Sequence, residues 1–375
     1  MRDYFGSGDP VRFIFPIDGD CLNGADGARE GSDLVVPVQV AARQDADLYV
    51  NGQRATFDGE CFRAFVRFSA YRTLLYAEDR NTGEHAVVSV FKLHDPEKKF
   101  RLSSDDNIVF LRDLTAHRDE YRSIFDHPYL AMYRRVHEET GVCIDLNLFY
   151  EGFGNSIWGD ERFCLTQVTD KFRDEWEANS GWLRLSFHAA AERPRYPYRT
   201  TPYEVIADDC AKVHREIIRF AGEKTLSHTM TAHYGAANEQ SLLAVRNLGY
   251  RNVAGYFEFQ PDGSTLVAYH YPKELVEHIG ERDFWRDTLL DITFTRIDRV
   301  LNLAKTPEEN LAKVREAVAS PTRGRFIELM IHEQYFYKSY TNYIERFGDI
   351  VLEACRYLKE QDYSGAFSHD VTAPY

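Results

Sequence analysis

The sequence predicts an α/β chain in two parts, an immunoglobulin-like β-sandwich over about residues 1–97 and a seven-stranded (β/α) barrel over about residues 98–375. Three observations carry this expectation. The first hundred residues read as short strands with turn signals about 8–12 residues apart. From Phe100 onward the rhythm changes to strand, loop, helix. At 375 residues the chain is also too long for one ordinary core.

In the first part, Leu34–Val40 is an apolar run interrupted by Pro37, which suits an edge strand because proline cannot donate to a ladder. Such an edge could pair across a homo-oligomer. Asp47-Leu48-Tyr49-Val50 runs into Asn51-Gly52, a two-residue hairpin signal. Cys61–Phe68 alternates, Arg72–Tyr76 follows, and Asn81-Thr82-Gly83 turns the chain into Ala86–Phe91. The charged segment Asp95-Pro96-Glu97-Lys98-Lys99 is the expected boundary.

In the second part, the expected strands are Phe100–Ser104, Val142–Phe149, Trp182–Phe187, Thr229–His233, Val253–Phe259, Leu289–Phe294 and Phe326–Ile331. Helical patterns lie over Pro128–Thr140, Glu204–Phe220 and Asn238–Leu248. Strands alternating with helices imply an α/β barrel, whose chemistry sits at the C-terminal strand ends.

Composition narrows the function classes. A net charge of −14, from 45 Lys+Arg against 59 Asp+Glu, repels a phosphate backbone, and no basic stripe reverses it locally. Nucleic acid is therefore not an expected partner. No apolar run is long enough to span a bilayer, and Met1-Arg2-Asp3-Tyr4-Phe5-Gly6 opens no signal sequence. The six cysteines lack C-x-x-C spacing, which fits buried free thiols and a cytoplasmic location. The 23 Tyr and 25 Phe supply rings that could stack on sugars, although core filling is their commoner use.

Four strand ends carry ionisable groups where the apolar run stops. These are Asp105-Asp106-Asn107, Phe187-His188, His233-Tyr234-Gly235 and Ile331-His332-Glu333. A barrel gathers such ends on one rim. Adjacent carboxylates raise one another's pKa unless a cation separates their roles. With a divalent metal, zinc being the first choice, one carboxylate binds the ion and the other takes a proton from the water it activates.

Asp106 and His188 are the first two expected ligands. His214, on the helix Glu204–Phe220, falls within the apolar arc of Ile206, Cys210, Val213 and Ile217. There it is either a histidine at the core edge or the third ligand. His233 competes for that role or binds substrate, while His228 reads as structural. His332 suits a general acid, since histidine titrates near neutrality. In the loop Ala189–Pro202, Arg193, Arg195, Tyr196, Tyr198 and Arg199 could grip a sugar or a uronate carboxylate. Tyr234 joins Arg195 and Tyr198 as a candidate for substrate. Asp18-Gly19-Asp20 through Gly24 begins like an EF-hand loop but lacks its closing glutamate, position twelve being Arg29.

Asp105-Asp106 after strand one, Ser186-Phe187-His188 after strand three and Ile331-His332 in the last strand resemble, in order and position, the polysaccharide deacetylase (NodB-homology) family. The resemblance covers roughly residues 100–340. It implies a distorted seven-stranded barrel, Asp105 as general base, Asp106 and His188 as metal ligands and His332 as general acid. The implied activity is removal of an acyl group, N- or O-acetyl, from a carbohydrate.

The sequence departs from the family at several points. The second histidine, normally four residues after the first, is Glu192 here, and His214 comes 26 residues on. His233-Tyr234-Gly235 stands in place of the Arg-Pro-rich motif after strand four, and Asn107 replaces a glycine. Two other classes remain open: glycosidic cleavage by carboxylates such as Asp105 and Glu333, and non-catalytic sugar binding.

Overall fold

A computed structural model describes residues 3–94, 96–152 and 162–374. Asp95 of the expected boundary segment and Met1-Arg2 lie outside the described residues. The chain is mixed α/β.

Two five-stranded sheets form from the first hundred residues. In one, Asp33–Ala41 pairs antiparallel with Phe62–Phe68, and in the other Arg72–Asp79 pairs antiparallel with His85–Lys92. Alternation with period two buries Val36, Val38 and Val40 of the first strand and Ala64, Val66 and Phe68 of the second. They meet Leu48, Val50, Leu75, Ala77 and Val90 of the other sheet in one apolar cluster. Asn51-Gly52 turns the hairpin between Leu48–Val50 and Gln53–Arg54, with φ of 48° and 80° as a type I′ turn requires.

The strand around Pro37 is interior, not an edge. Asp33–Ala41 has Phe62–Phe68 on one side, and Arg12–Phe15 and Ala28–Glu30 on the other. Those two short partners reach only to Gln39 and Val35, so Pro37 sits opposite the gap between them, where no N–H is needed.

The remainder of the chain is built on parallel strands. Leu183–Ala189, Cys143–Phe149, Lys99–Asn107, Phe326–His332 and Arg299–Val300 follow one another in one sheet. Thr229–Met230, Asn252–Gly255 and Ile292–Arg296 are parallel in a second, with Phe284–Asp287 antiparallel at its edge. At one junction Ser227 N–H donates to Leu185 O (2.9 Å) and Ser186 Oγ to Thr229 O (2.7 Å). At the other, Ile297 N–H reaches Gly255 O (2.7 Å) and Asp298 N–H reaches Glu328 O (2.9 Å). The expected strand Leu289–Phe294 is displaced: it runs Ile292–Arg296, and Leu289 is exposed in the preceding turn.

Helices such as Tyr203–Ala221 pack on the outward faces, so the central strands are buried on both sides. Alternation sorts their side chains. Leu102, Ile144, Leu146, Ile327 and Leu329 enter the apolar core. Arg101, Asp145 and Glu328 take the opposite face, where Arg101 donates to both carboxylates. Burial there pushes the Glu328 carboxyl up to about 7 even beside the guanidinium.

The loop that begins like an EF-hand ties the first sheets to the later half. Asp20 pairs with Arg282 (3.2 Å) and His278 (2.6 Å), Asp26 pairs with Arg282 (3.0 Å), and Trp285 donates to Asp18 O (2.9 Å). Asp20 and Asp26 therefore share the Arg282 guanidinium, while the Asp18 carboxylate accepts from Ser89 N–H (2.8 Å) and Thr288 Oγ1 (2.6 Å). All six cysteines are free, five of them buried. No helix among the described residues is long and apolar enough to cross a membrane.

Candidate metal centre

The inward face that carries Arg101, Asp145 and Glu328 at one level carries Asp105, Asn147 and His332 nearer the C-terminal strand ends. Each of these lies two or four residues further along its strand, so alternation returns it to the same side. Alternation alone would send Asp106 to the opposite face from Asp105. A register shift between Ser104 and Asn107, with Asp106 at φ 62°, breaks the pleat. Both carboxylates then line one cleft of about 520 Å³, together with His188, His233, Glu192 and His332.

His233 arrives from the turn His233–Gly235 that follows Thr229–Met230. Tyr234 and Gly235 have φ of 61° and 55° there. A Cβ at 235 would lie 2.1 Å from Val267 Cγ1, so only glycine closes this turn.

Hydrogen bonds fix which ring nitrogens are free. His188 Nδ1–H donates to Thr231 O (2.6 Å), leaving the Nε2 lone pair. His233 Nε2–H points at Glu192 O (3.3 Å), leaving Nδ1. The two free nitrogens are 3.0 Å apart, and Asp106 Oδ1 lies 3.1 Å from His188 Nε2 and 3.4 Å from His233 Nδ1. Three lone pairs thus converge in a triangle.

They repel unless a proton or a cation lies among them. Arms of about 2.0–2.1 Å in a tetrahedral zinc site put ligand atoms about 3.3–3.4 Å apart. The donor types and spacing fit a divalent ion, and this is the one such group found among the described residues.

The electrostatics agree. Burial alone would raise the Asp106 carboxyl, yet the hydrogen bonds of His188 and His233 and the charge of His332 hold it well below the usual range. Burial alone would lower His188, yet Asp105 and Asp106 push it up to about 9. Asp106 Oδ2 accepts from Gln334 Nε2 (2.8 Å). Asp105 Oδ1 accepts from Asn147 Nδ2 (2.6 Å), and His332 Nδ1 faces Asn302 Oδ1 (2.8 Å).

Of the residues expected from sequence, Asp105, Asp106, His188, His233, Tyr234, Arg195 and His332 line this cleft. His214 and Tyr198 do not. His214 Nε2 is 2.9 Å from Tyr250 Oη on the outer side of the strands, and burial followed by the charge of His228 lowers its imidazole to about 4. Tyr198 is fully buried, accepting from Ala190 N–H (3.0 Å) and donating to Asp209 Oδ2 (3.2 Å). His228 is exposed, with Nδ1 3.2 Å from Gly249 O.

Glu333 is also committed elsewhere. Its carboxylate accepts from the N–H groups of Ile108 (2.6 Å), Val109 (2.9 Å) and Phe110 (2.7 Å) and from Tyr337 Oη (2.7 Å). It caps the helix Val109–Ala116, whose own N-cap residue offers no side-chain bond.

Sequence reasoning did not put forward Asn147, Gln334, Asn302 or Glu192 as site residues. Asn147 had a signal, a polar residue at an inward position of an apolar strand. The Glu192 carboxylate accepts from Tyr234 Oη (3.4 Å) and lies 3.6 Å from His233 Nε2, and burial with the charge of Asp106 raises its pKa.

No protein-family model matches the chain, and no curated protein sequence matches it. Among solved structures, a CE4 family pseudoenzyme from Bacillus anthracis is 12% identical over 76% of this chain and 68% of its own, with a TM-score of 0.34. A Streptococcus mutans CE4 esterase is 13% identical over 72% of this chain and 86% of its own, with a TM-score of 0.37. A 4-alpha-glucanotransferase from Thermococcus litoralis is 11% identical over 74% of this chain and 40% of its own, with a TM-score of 0.44. Likeness at this level assigns no family.

Proposed function

We propose that the chain is a metal-dependent hydrolase that removes an acyl group, N- or O-acetyl, from a carbohydrate. In this reading residues from about 98 form a distorted seven-stranded barrel of the polysaccharide-deacetylase kind, and residues 1–97 form a separate β-sandwich. The observation that carries the proposal is the convergence of three lone pairs, from Asp106, His188 and His233, at the floor of an open cleft.

Those three residues would hold a divalent ion, zinc being the first choice. Such an ion acidifies water and stabilises negative charge developing on an acyl oxygen. Asp105 is the general base: Asn147 holds Oδ1, leaving Oδ2 to take the proton of the attacking water. As the new C–O bond forms, the bond from the acyl carbon to the sugar nitrogen or oxygen breaks. His332, oriented through Nδ1 by Asn302, delivers a proton from Nε2 to that departing atom. Tyr256, Tyr335 and Tyr340 line the cleft in which the sugar would lie. Glycosidic cleavage by Asp105 and Glu333 is disfavoured because four hydrogen bonds hold Glu333 at a helix end.

The test is acetate release by zinc-loaded protein from a panel of N- and O-acetylated oligosaccharides. Asp105→Asn should retain the metal and lose about 100-fold or more in turnover. Release of reducing ends in place of acetate, or full activity in Asp105→Asn, would end this reading.

A further inference from the structure

The cleft has a feature that hydrolysis does not use. Arg193 and Arg195 line its mouth, both exposed, and neither forms an ion pair or hydrogen bond among the described residues. A shortage of carboxylates does not explain this, since acids outnumber basic residues 59 to 45. The intervening geometry explains it better. Glu192, the adjacent acid, is turned inward towards His233 and Tyr234 and forms no ion pair with either arginine, although the charge of Arg193 reaches it and opposes the rise of its carboxyl.

The loop is also held in place. Fully buried Tyr198 pins one end, and the Tyr196 ring sits 4.9 Å from that of Tyr234 with Arg199 4.1 Å above it. Two guanidiniums are thereby presented on an anchored segment that lines the same cleft as His233. Guanidinium binds carboxylate and sulfate oxygens through paired N–H groups. A chain of net charge −14, with three carboxylates in the cleft itself, would otherwise repel an anion.

Resting on the hydrolase reading above, we infer that the substrate is an anionic saccharide whose carboxylate or sulfate ester is gripped by Arg193 and Arg195. The two charges select acidic polymers over neutral ones without taking part in bond breaking.

Calorimetric titration of zinc-loaded protein at fixed ionic strength tests this with three probes: a galacturonate trisaccharide, a sulfated galactose oligosaccharide and a neutral galactose trisaccharide. At least one anionic probe should bind about tenfold or more tighter than the neutral one. Which of them does so identifies the anion. The double variant Arg193→Gln/Arg195→Gln should bind all three alike. Asp106→Ala should keep the preference, because the preference resides in the arginines and not in the ion. Equal binding of all probes by the wild type, no binding of either anionic probe, or a preference that survives the double variant would each overturn the inference. So would its loss in Asp106→Ala, which would place the anion on the metal. A preserved preference with no acetate release from any acetylated form would sink the hydrolase reading alone.

Discussion

Glu333→Ala probes how the strand end carrying His332 is secured. The Glu333 side chain is fully buried and accepts three backbone N–H groups and one hydroxyl, all within 2.9 Å. The first turn of Val109–Ala116 has no other side-chain acceptor at its N-cap. Each buried donor left without a partner costs about 1–3 kcal/mol, so the three backbone donors alone put Glu333→Ala at about 3–9 kcal/mol. A domain's whole stability is about 5–15 kcal/mol, so this variant could be largely unfolded. Glu333→Gln keeps one carbonyl oxygen but turns an amide donor toward N–H groups, and should cost about 2–4 kcal/mol. Tyr337→Phe removes one bond and should cost about 1 kcal/mol. Denaturant unfolding followed by circular dichroism gives these differences as midpoint shifts at unchanged slope. A Glu333→Gln unfolding free energy within about 0.5 kcal/mol of wild type would refute the capping role, and with lost turnover would make Glu333 a reacting carboxylate.

Two further outcomes follow from buried charges. His214 has a folded value of about 4, below the histidine value of about 6.5 in an unfolded chain. The unfolded state therefore binds more protons in that window, and the contribution of up to about 3 kcal/mol is complete above pH 6.5 and lost as pH falls towards 4. His214→Phe should flatten this part of the stability–pH curve, and an unchanged slope would contradict the assignment. Arg282 is buried between Asp20 and Asp26, so Arg282→Ala should cost about 3–5 kcal/mol by leaving two acids uncompensated. A loss under about 1 kcal/mol in denaturant unfolding would show that this clamp contributes little.

Much of the candidate site was legible because parallel strands buried on both faces read as apolar runs, and the polar residues at their C-terminal ends line the cleft. That logic placed Asp105, Asp106, His188, His233 and His332 together. It put Asp105 and Asp106 in one site but did not supply the means: the pleat sends neighbours to opposite faces, and only the register shift at Asp106 brings both to one side. His214 takes one of the two places its spacing leaves open, the core edge: the apolar arc of its helix packs on the strands beside Tyr250, outside the cleft. Tyr198 shares its loop with the arginines, and sequence does not separate an anchor from a binding residue. Pro37 suggests an edge, but pairing on both sides makes its strand interior, and the shortness of two partners leaves the gap that tolerates a proline.

The central claim is that Asp106, His188 and His233 form one metal site, and elemental analysis of the purified protein tests it most directly. Wild type and His214→Phe should each carry about one equivalent of zinc or a similar divalent ion, and His188→Ala and His233→Ala should carry none. No metal in the wild type after incubation with zinc, cobalt and nickel, or a full equivalent retained by His233→Ala, would contradict the account.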